Sequence, residues 1–102
     1  MLTFYVEDQV HHRVRRFVDD PANSFLQVAR RCAVIGTRVL DVIDPYADAM
    51  LNFIQLDRLI DELNGLLSGG LLSETERVKV IEVLDGAAES RRISGYLFIE
   101  GD

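Results

Sequence analysis

The residues best suited to chemistry lie in one polar segment near the middle of the chain. This segment contains two carboxylates, a phenol and two amides within twelve residues. Its members are Asp44, Tyr46, Asp48, Asn52 and Gln55. Together they could line a polar pocket for a small ligand or supply an acid–base pair. A structural interpretation is favoured, in which Asp44 starts a turn, Asn52 caps a helix and Tyr46 covers an edge of the core.

Histidine, cysteine and glycine provide no second site. His11 and His12 are adjacent on a predicted strand, so their side chains point to opposite faces and cannot share one metal ion. The remaining potential ligands lack zinc spacing, and no glycine-rich phosphate loop occurs. The single Cys32 falls on the apolar stripe of a predicted helix, which favours a buried structural thiol. We therefore expect no catalytic residue, no metal ion and no cofactor.

The charge distribution favours a protein partner. The formal net charge is −6, which disfavours binding to nucleic acid through phosphate neutralisation. Residues 51–102 carry ten acidic and five basic side chains, so a cationic partner would meet this half. The acidic helical face expected to bind it comprises Asp57, Asp61, Glu62, Glu82 and Asp85. A basic patch of Arg13, Arg15 and Arg16 has two open interpretations: an edge strand protected from aggregation, or a docking surface for an acidic groove.

The length and apolar content predict one domain over residues 1–102. A hydrophobic fraction of 48% is typical of a globular protein, and a chain of this size folds without metal or disulfide. The N-terminal residues lack the features of a signal peptide, and no apolar run reaches the length of a membrane helix. We expect a cytoplasmic protein without a membrane partner.

Two strands and a helix are predicted in the first third of the chain. Leu2–Glu7 is apolar and aromatic, and Val10–Val18 alternates with a period of two. A turn at Asp8-Gln9 would join them as a hairpin. Asp20-Pro21 has the composition of a helix start, with Asp20 as the N-cap, and the apolar stripe that follows continues to Gly36.

The remaining elements predict an α+β fold. Arg38–Ile43 reads as a third strand and Asp48–Leu51 as a short extended piece. A helix from Phe53 to the Ser68-Gly69-Gly70 stop follows, and a third helix opens at the Ser73 capping box and runs to about Ser90. Its inner face is assigned to Val78, Ile81, Leu84 and Ala88, widened by Val80, Val83 and Ala87. The last strand, Tyr96–Ile99, is apolar throughout and is predicted to be interior. The order ββαβ(β)ααβ indicates one mainly antiparallel sheet with three helices packed on it.

Part of the chain resembles a known group of proteins. The run Asp44-Pro45-Tyr46-Ala47-Asp48 with Asn52 and Gln55, and the ending Tyr96–Asp102, resemble small uncharacterised actinobacterial proteins. These share an Asp-Pro-Tyr-Gly-Asp…Asn…Gln segment and end near Tyr-Leu-x-Phe-Ile-Gly-Asp. This chain has Ala47 in place of that glycine and Glu100 before the final Gly-Asp. The resemblance covers roughly residues 41–102 and implies a compact domain like that of immunity proteins in bacterial toxin systems.

Three classes of function follow from these observations. We expect a non-enzymatic binding protein, an immunity- or antitoxin-like inhibitor whose partner is another protein such as a basic toxin. The alternative is a small regulatory or adaptor domain, with a homodimer left open. A small-ligand binder or enzyme that uses the Asp44–Gln55 segment ranks third.

Overall fold

Four strands and three helices make up the described part of the chain. The computed structural model describes residues 1–34, 39–40, 43–44 and 46–101, without the side chains of residues 32–34. The elements are β1 (Thr3–Glu7), β2 (Arg13–Val18), α1 (Ser24–Val34), β3 (Ala49–Leu51), α2 (Phe53–Gly69), α3 (Glu74–Arg92) and β4 (Tyr96–Glu100). The strands form one antiparallel sheet in the order β2-β1-β4-β3. The predicted α+β class, with one antiparallel sheet and three helices, is confirmed.

The two terminal strands form the centre of the sheet. Phe4 lies opposite Ile99 and Val6 opposite Leu97, and all four side chains are buried. Residues paired in this way share a face, so one face of β1 and β4 is entirely apolar. β4 pairs with both β1 and β3, which confirms the prediction of an interior strand.

Local capping sets the limits of the second and third helices as predicted. Asn52 caps α2, Gly70 ends it in the left-handed conformation at φ 70°, and Ser73 caps α3. Both helix starts are capping boxes, completed by Gln55 and Glu76. A capping box satisfies backbone N–H groups with side chains three residues apart, so it depends on local sequence alone. α3 continues to Arg92, two residues beyond the predicted end.

The first helix begins later than predicted. α1 starts at Ser24 and not at Pro21, because residues 20–23 form a turn in which the Asn23 N–H donates to the Asp20 carbonyl. The buried Asp19 carboxylate accepts hydrogen bonds from the N–H groups of Phe25 and Leu26, at 3.0 and 3.1 Å. Asp20 accepts from the Ser24 N–H at 2.8 Å, so two aspartates share the cap that was assigned to one.

Strand β2 also begins later than predicted, at Arg13 and not at Val10. The Asp8 carboxylate accepts from the N–H groups of Val10 and His12, which closes residues 8–12 into a loop. The register between β1 and β2 shifts between Val6, which pairs with Arg15, and Glu7, which pairs with Arg13. Strand β2 therefore contains a bulge between Arg13 and Arg15.

Helix α3 presents a different face to the core from the one predicted. Ile81 is 49% exposed, and Val78 and Ala88 are also exposed. The buried positions are Val80, Val83, Gly86, Ala87 and Ser90. A Cβ atom at Gly86 would lie 2.7 Å from the Phe17 ring, so this glycine allows the helix to approach the sheet closely. Close approach along Gly86 turns Val78, Ile81 and Ala88 toward solvent, and the assignment of these three residues to the inner face was wrong.

One apolar cluster joins the helices to the inner face of the sheet. The Phe4 ring stacks on Phe17 at 4.9 Å and meets the edge of Phe25 from α1 at 5.6 Å. Leu56, Leu59 and Leu63 from α2 belong to the same cluster. In the described ranges, no helix is long and apolar enough to cross a membrane.

The predicted helix stop at Gly36 and the side chain of Cys32 lie outside the described residues. The predicted strand Arg38–Ile43 lies partly outside them. Within it, Val39, Leu40 and Ile43 are buried and belong to no strand. The short extended piece predicted at Asp48–Leu51 is present as β3.

Candidate functional site

Several side chains of the Asp44–Gln55 segment form local hydrogen bonds. The Asp44 carboxylate accepts from the Tyr46 N–H at 2.7 Å, which gives the predicted turn. The Asn52 side-chain oxygen accepts from the Ile54 and Gln55 N–H groups at 3.1 Å each. The Gln55 side-chain oxygen accepts from the Asn52 N–H at 3.0 Å. The structural interpretation of Asp44, Asn52 and Gln55 therefore agrees with the geometry.

Asp48 has a role that the sequence did not indicate. Its carboxylate accepts from the N–H of Gly101 at 3.1 Å, which fixes the end of the chain to this segment. A Cβ atom at Gly101 would lie 2.6 Å from the Ala47 carbonyl oxygen and 2.8 Å from that of Asp44. Tyr46 is 80% exposed, so the prediction that it covers an edge of the core was wrong. The turn packs on Gly101 through its backbone and leaves the phenol in solvent.

The acidic helical face is largely occupied by internal partners. Asp57 accepts from Arg91 at 2.8 Å, and Glu82 accepts from Lys79 at 2.6 Å. Arg15 of β2 donates to Glu89 and to Asp85 at 3.1 Å each, and the hydrogen bond to Glu89, followed by that to Asp85, raises the pKa of Arg15. Glu62 accepts from the N–H groups of Val39 and Leu40 and holds that segment against α2. Asp61 is exposed and forms no ion pair within the described residues.

Internal pairing does not bury these carboxylates. The side chain of Asp57 is 56% exposed and that of Asp85 is 72% exposed. Ion pairs this exposed contribute about 0–1 kcal/mol each. Asp57, Asp61 and Asp85 therefore remain accessible to solvent.

The basic patch is divided between the two faces of the sheet, because neighbouring strand residues point in opposite directions and the bulge between Arg13 and Arg15 breaks the alternation along β2. Arg15 points toward α3, where its guanidinium also lies 5.1 Å from the centre of the Phe17 ring. Arg13 lies over the Tyr5 ring at 3.8 Å on the opposite face, and Arg16 pairs with Tyr5 across the strands. The three arginines therefore form no single docking surface.

The face of the sheet opposite the core, here the open face, carries a row of side chains that sequence reasoning missed. The row crosses all four strands through the register pairs of Arg16 with Tyr5, Tyr5 with Phe98, and Phe98 with Met50. The Tyr5 and Phe98 ring centres lie 6.1 Å apart, and Met50 is 44% exposed. The aromatic residues at alternate positions of β1 and β4 are the sequence signal for this row, but these strands lie about ninety residues apart and only the fold pairs them.

A histidine and a buried carboxylate meet at one end of the open face. His11 has φ 66°, its Nδ1 lies 3.0 Å from the Glu7 carboxylate, and its ring stacks on Tyr96 at 4.4 Å. Glu7 is buried and also contacts the Arg13 guanidinium at 3.5 Å. The two histidines lie in the 8–12 loop, so the prediction that they occupy a strand was wrong. His12 lies 3.6 Å from Asp8.

Beside Tyr96 lies a cleft of ≈ 610 Å³. It is lined by Asn52, Phe53, Arg91, Ser94, Gly95 and Tyr96. Arg91 is held by Asp57 and lies 5.6 Å from the Phe53 ring, and Asn52 is engaged in capping α2. Within residues 1–34, 39–40, 43–44 and 46–101, no three potential ligands lie close enough to hold a metal ion.

No family model matches the chain, and no curated protein or solved structure matches it.

Proposed function

We propose that this protein is a small acidic binding protein of the cytoplasm, and that it acts as an immunity- or antitoxin-like inhibitor through contact with a basic protein. The observation that supports the proposal is the exposure of Asp57, Asp61 and Asp85 on two helices that pack side by side. Two of these carboxylates hold only weak surface partners. The third has no ion pair in the described part of the chain.

The charge of α2 and α3 suits such a partner. The two helices carry eight carboxylates and five basic side chains. An acidic surface increases the rate at which a cationic partner associates and orients it before contact. A toxin that cleaves nucleic acid has a cationic active site, and an acidic inhibitor could cover it.

In the arrangement that we propose, all three helices pack on one face of the sheet, as the element order ββαβ(β)ααβ predicts.

The alternative functions have less support. The side chains of Asp44, Asn52 and Gln55 already accept hydrogen bonds from backbone N–H groups. An enzyme or ligand pocket in that segment would therefore have fewer polar groups with which to bind a substrate. An adaptor or regulatory domain would use a contact surface of its own. It would differ from an inhibitor in its partner, which would be a regulator and not a toxin.

The test is capture of a partner from the native host at low and high salt. One variant replaces Asp57, Asp61 and Asp85 with asparagine. The matched control replaces Gln9, Ala22 and Gln27, all exposed and outside α2 and α3, with lysine. Both variants change the net charge by the same amount. A difference in binding between them therefore reports where the charges lie and not the total charge.

We expect the wild type and the control to capture a basic protein whose binding weakens with salt. The asparagine variant should bind it at least ~10-fold more weakly, mainly through slower association. Equal capture and unchanged association rates for the asparagine variant would exclude this face. Capture of a regulator that is not a toxin would favour the adaptor function.

A further inference from the structure

The open face has a composition typical of a protein interface. Its central row of Arg16, Tyr5, Phe98 and Met50 contains an arginine, two aromatic rings and a methionine, all residue types enriched where proteins meet. Phe98 is partly buried and Met50 is 44% exposed, while the inner-face neighbours Leu97 and Ile99 are buried. This face therefore places a partly exposed apolar row at the middle of the sheet.

The charges on the open face are separated across the strands. On β2, Arg16 is exposed beside Tyr5, and Arg13 covers that ring. On β4, Glu100 follows Phe98 by two residues, so it lies on the same face, and it pairs with Thr3. The exposed basic side chains of this face thus lie on β2 and the acidic Glu100 lies on β4, with the Tyr5 ring between them. The remaining carboxylate of the face, Glu7 of β1, is buried and is already engaged by Arg13 at 3.5 Å.

Such a pattern is complementary to itself. A two-fold axis in the plane of the interface and along β1 would place β2 of one copy over β4 of the other. Arg16 would then face Phe98 and Glu100 of the second copy. The same contact would occur twice, because a two-fold interface repeats every contact.

We propose that the open face is an isologous dimer interface whose occupant is a second copy of this chain. This inference is independent of the proposed inhibitor function, because it uses the sheet and not α2 and α3. The charge pattern favours a second copy over single-stranded nucleic acid. A stacking platform for bases needs uncovered rings, whereas the Arg13 guanidinium lies 3.8 Å from the Tyr5 ring centre.

Sedimentation equilibrium of the full chain at about 100 μM tests the proposal through complementary charge reversals. The wild type should have twice the chain mass of 11.5 kDa. Arg16→Glu alone and Glu100→Arg alone should each weaken the dimer at least ~10-fold, because each creates two like-charge contacts. An equimolar mixture of the two variants should form a heterodimer, because both contacts then join opposite charges.

Two lysine variants separate this interface from other surfaces. Met50→Lys should give a monomer, whereas Ile81→Lys, at a similarly exposed apolar side chain on α3, should leave the dimer intact. Circular dichroism on each variant checks that the fold is retained. A monomeric wild type, a mixture that fails to restore the dimer, or a dimer lost through Ile81→Lys alone would each overturn the proposal.

Discussion

Glu76 joins two helices through a bidentate ion pair with Arg31. The Arg31 guanidinium donates to both carboxylate oxygens, at 2.7 and 3.0 Å. One of these oxygens also accepts from the Ser73 N–H at 2.9 Å, as the capping box requires. The Arg31 hydrogen bonds, followed by that of Ser73, lower the pKa of Glu76 to about 2. One carboxylate thus caps α3 and ties it to α1.

The first prediction concerns acid stability. Because the pKa of Glu76 is lower in the folded state than in the unfolded chain, its contribution is complete above the unfolded value of 4.5 and is lost as the pH falls toward 2. Glu76→Gln should lower the free energy of unfolding by about 1–2 kcal/mol at pH 7 and have less effect near pH 2. Thermal unfolding from pH 7 to 2 measures this difference. A constant difference across the range would contradict the assigned pKa.

The second prediction concerns the buried cap of α1. Asp19 is 1% exposed and accepts from the N–H groups of Asp20, Phe25 and Leu26. Asp19→Ala would leave buried donors without acceptors and should cost about 3 kcal/mol in urea unfolding. Asp19→Asn keeps one acceptor oxygen and should cost less. Equal losses in the two variants would contradict the prediction, because they would show that the acceptor oxygen retained by asparagine does not stabilise the start of α1.

The third prediction concerns the cap of α2 within the polar segment. Asn52→Ala removes the acceptor for two N–H groups and should cost about 1 kcal/mol. Asn64, exposed on the same helix, is the matched control, and Asn64→Ala should be neutral or slightly stabilising. Unchanged melting of Asn52→Ala, combined with loss of partner binding, would make Asn52 a functional residue instead.

The fourth prediction compares two helical glycines. A Cβ atom at Gly65 meets nothing within 4 Å, so Gly65→Ala should stabilise α2 by about 0.5–1 kcal/mol. At Gly86 the same atom lies 2.7 Å from the Phe17 ring, so Gly86→Ala should destabilise by about 1–3 kcal/mol. Chemical denaturation of both variants provides the comparison. Stabilisation by Gly86→Ala would show that α3 does not approach the sheet along this face.

The sequence by itself determined features whose physical cause lies within a few residues. The starts of α2 and α3 were predicted from Asn52 and Ser73, because a capping box closes over three residues. β4 was predicted as an interior strand from its continuous apolar run. The α+β class followed from the order of these elements.

Only the tertiary structure decided which side chains from distant parts of the chain meet. Arg15 contacts Asp85 and Glu89 because β2 lies beside α3, and His11 stacks on Tyr96 because β1 pairs with β4. The inner face of α3 was set by the contact of Gly86 with Phe17, since helix periodicity allowed more than one apolar face. Strand register and helix packing depend on contacts between residues far apart in sequence, and local patterns do not contain that information.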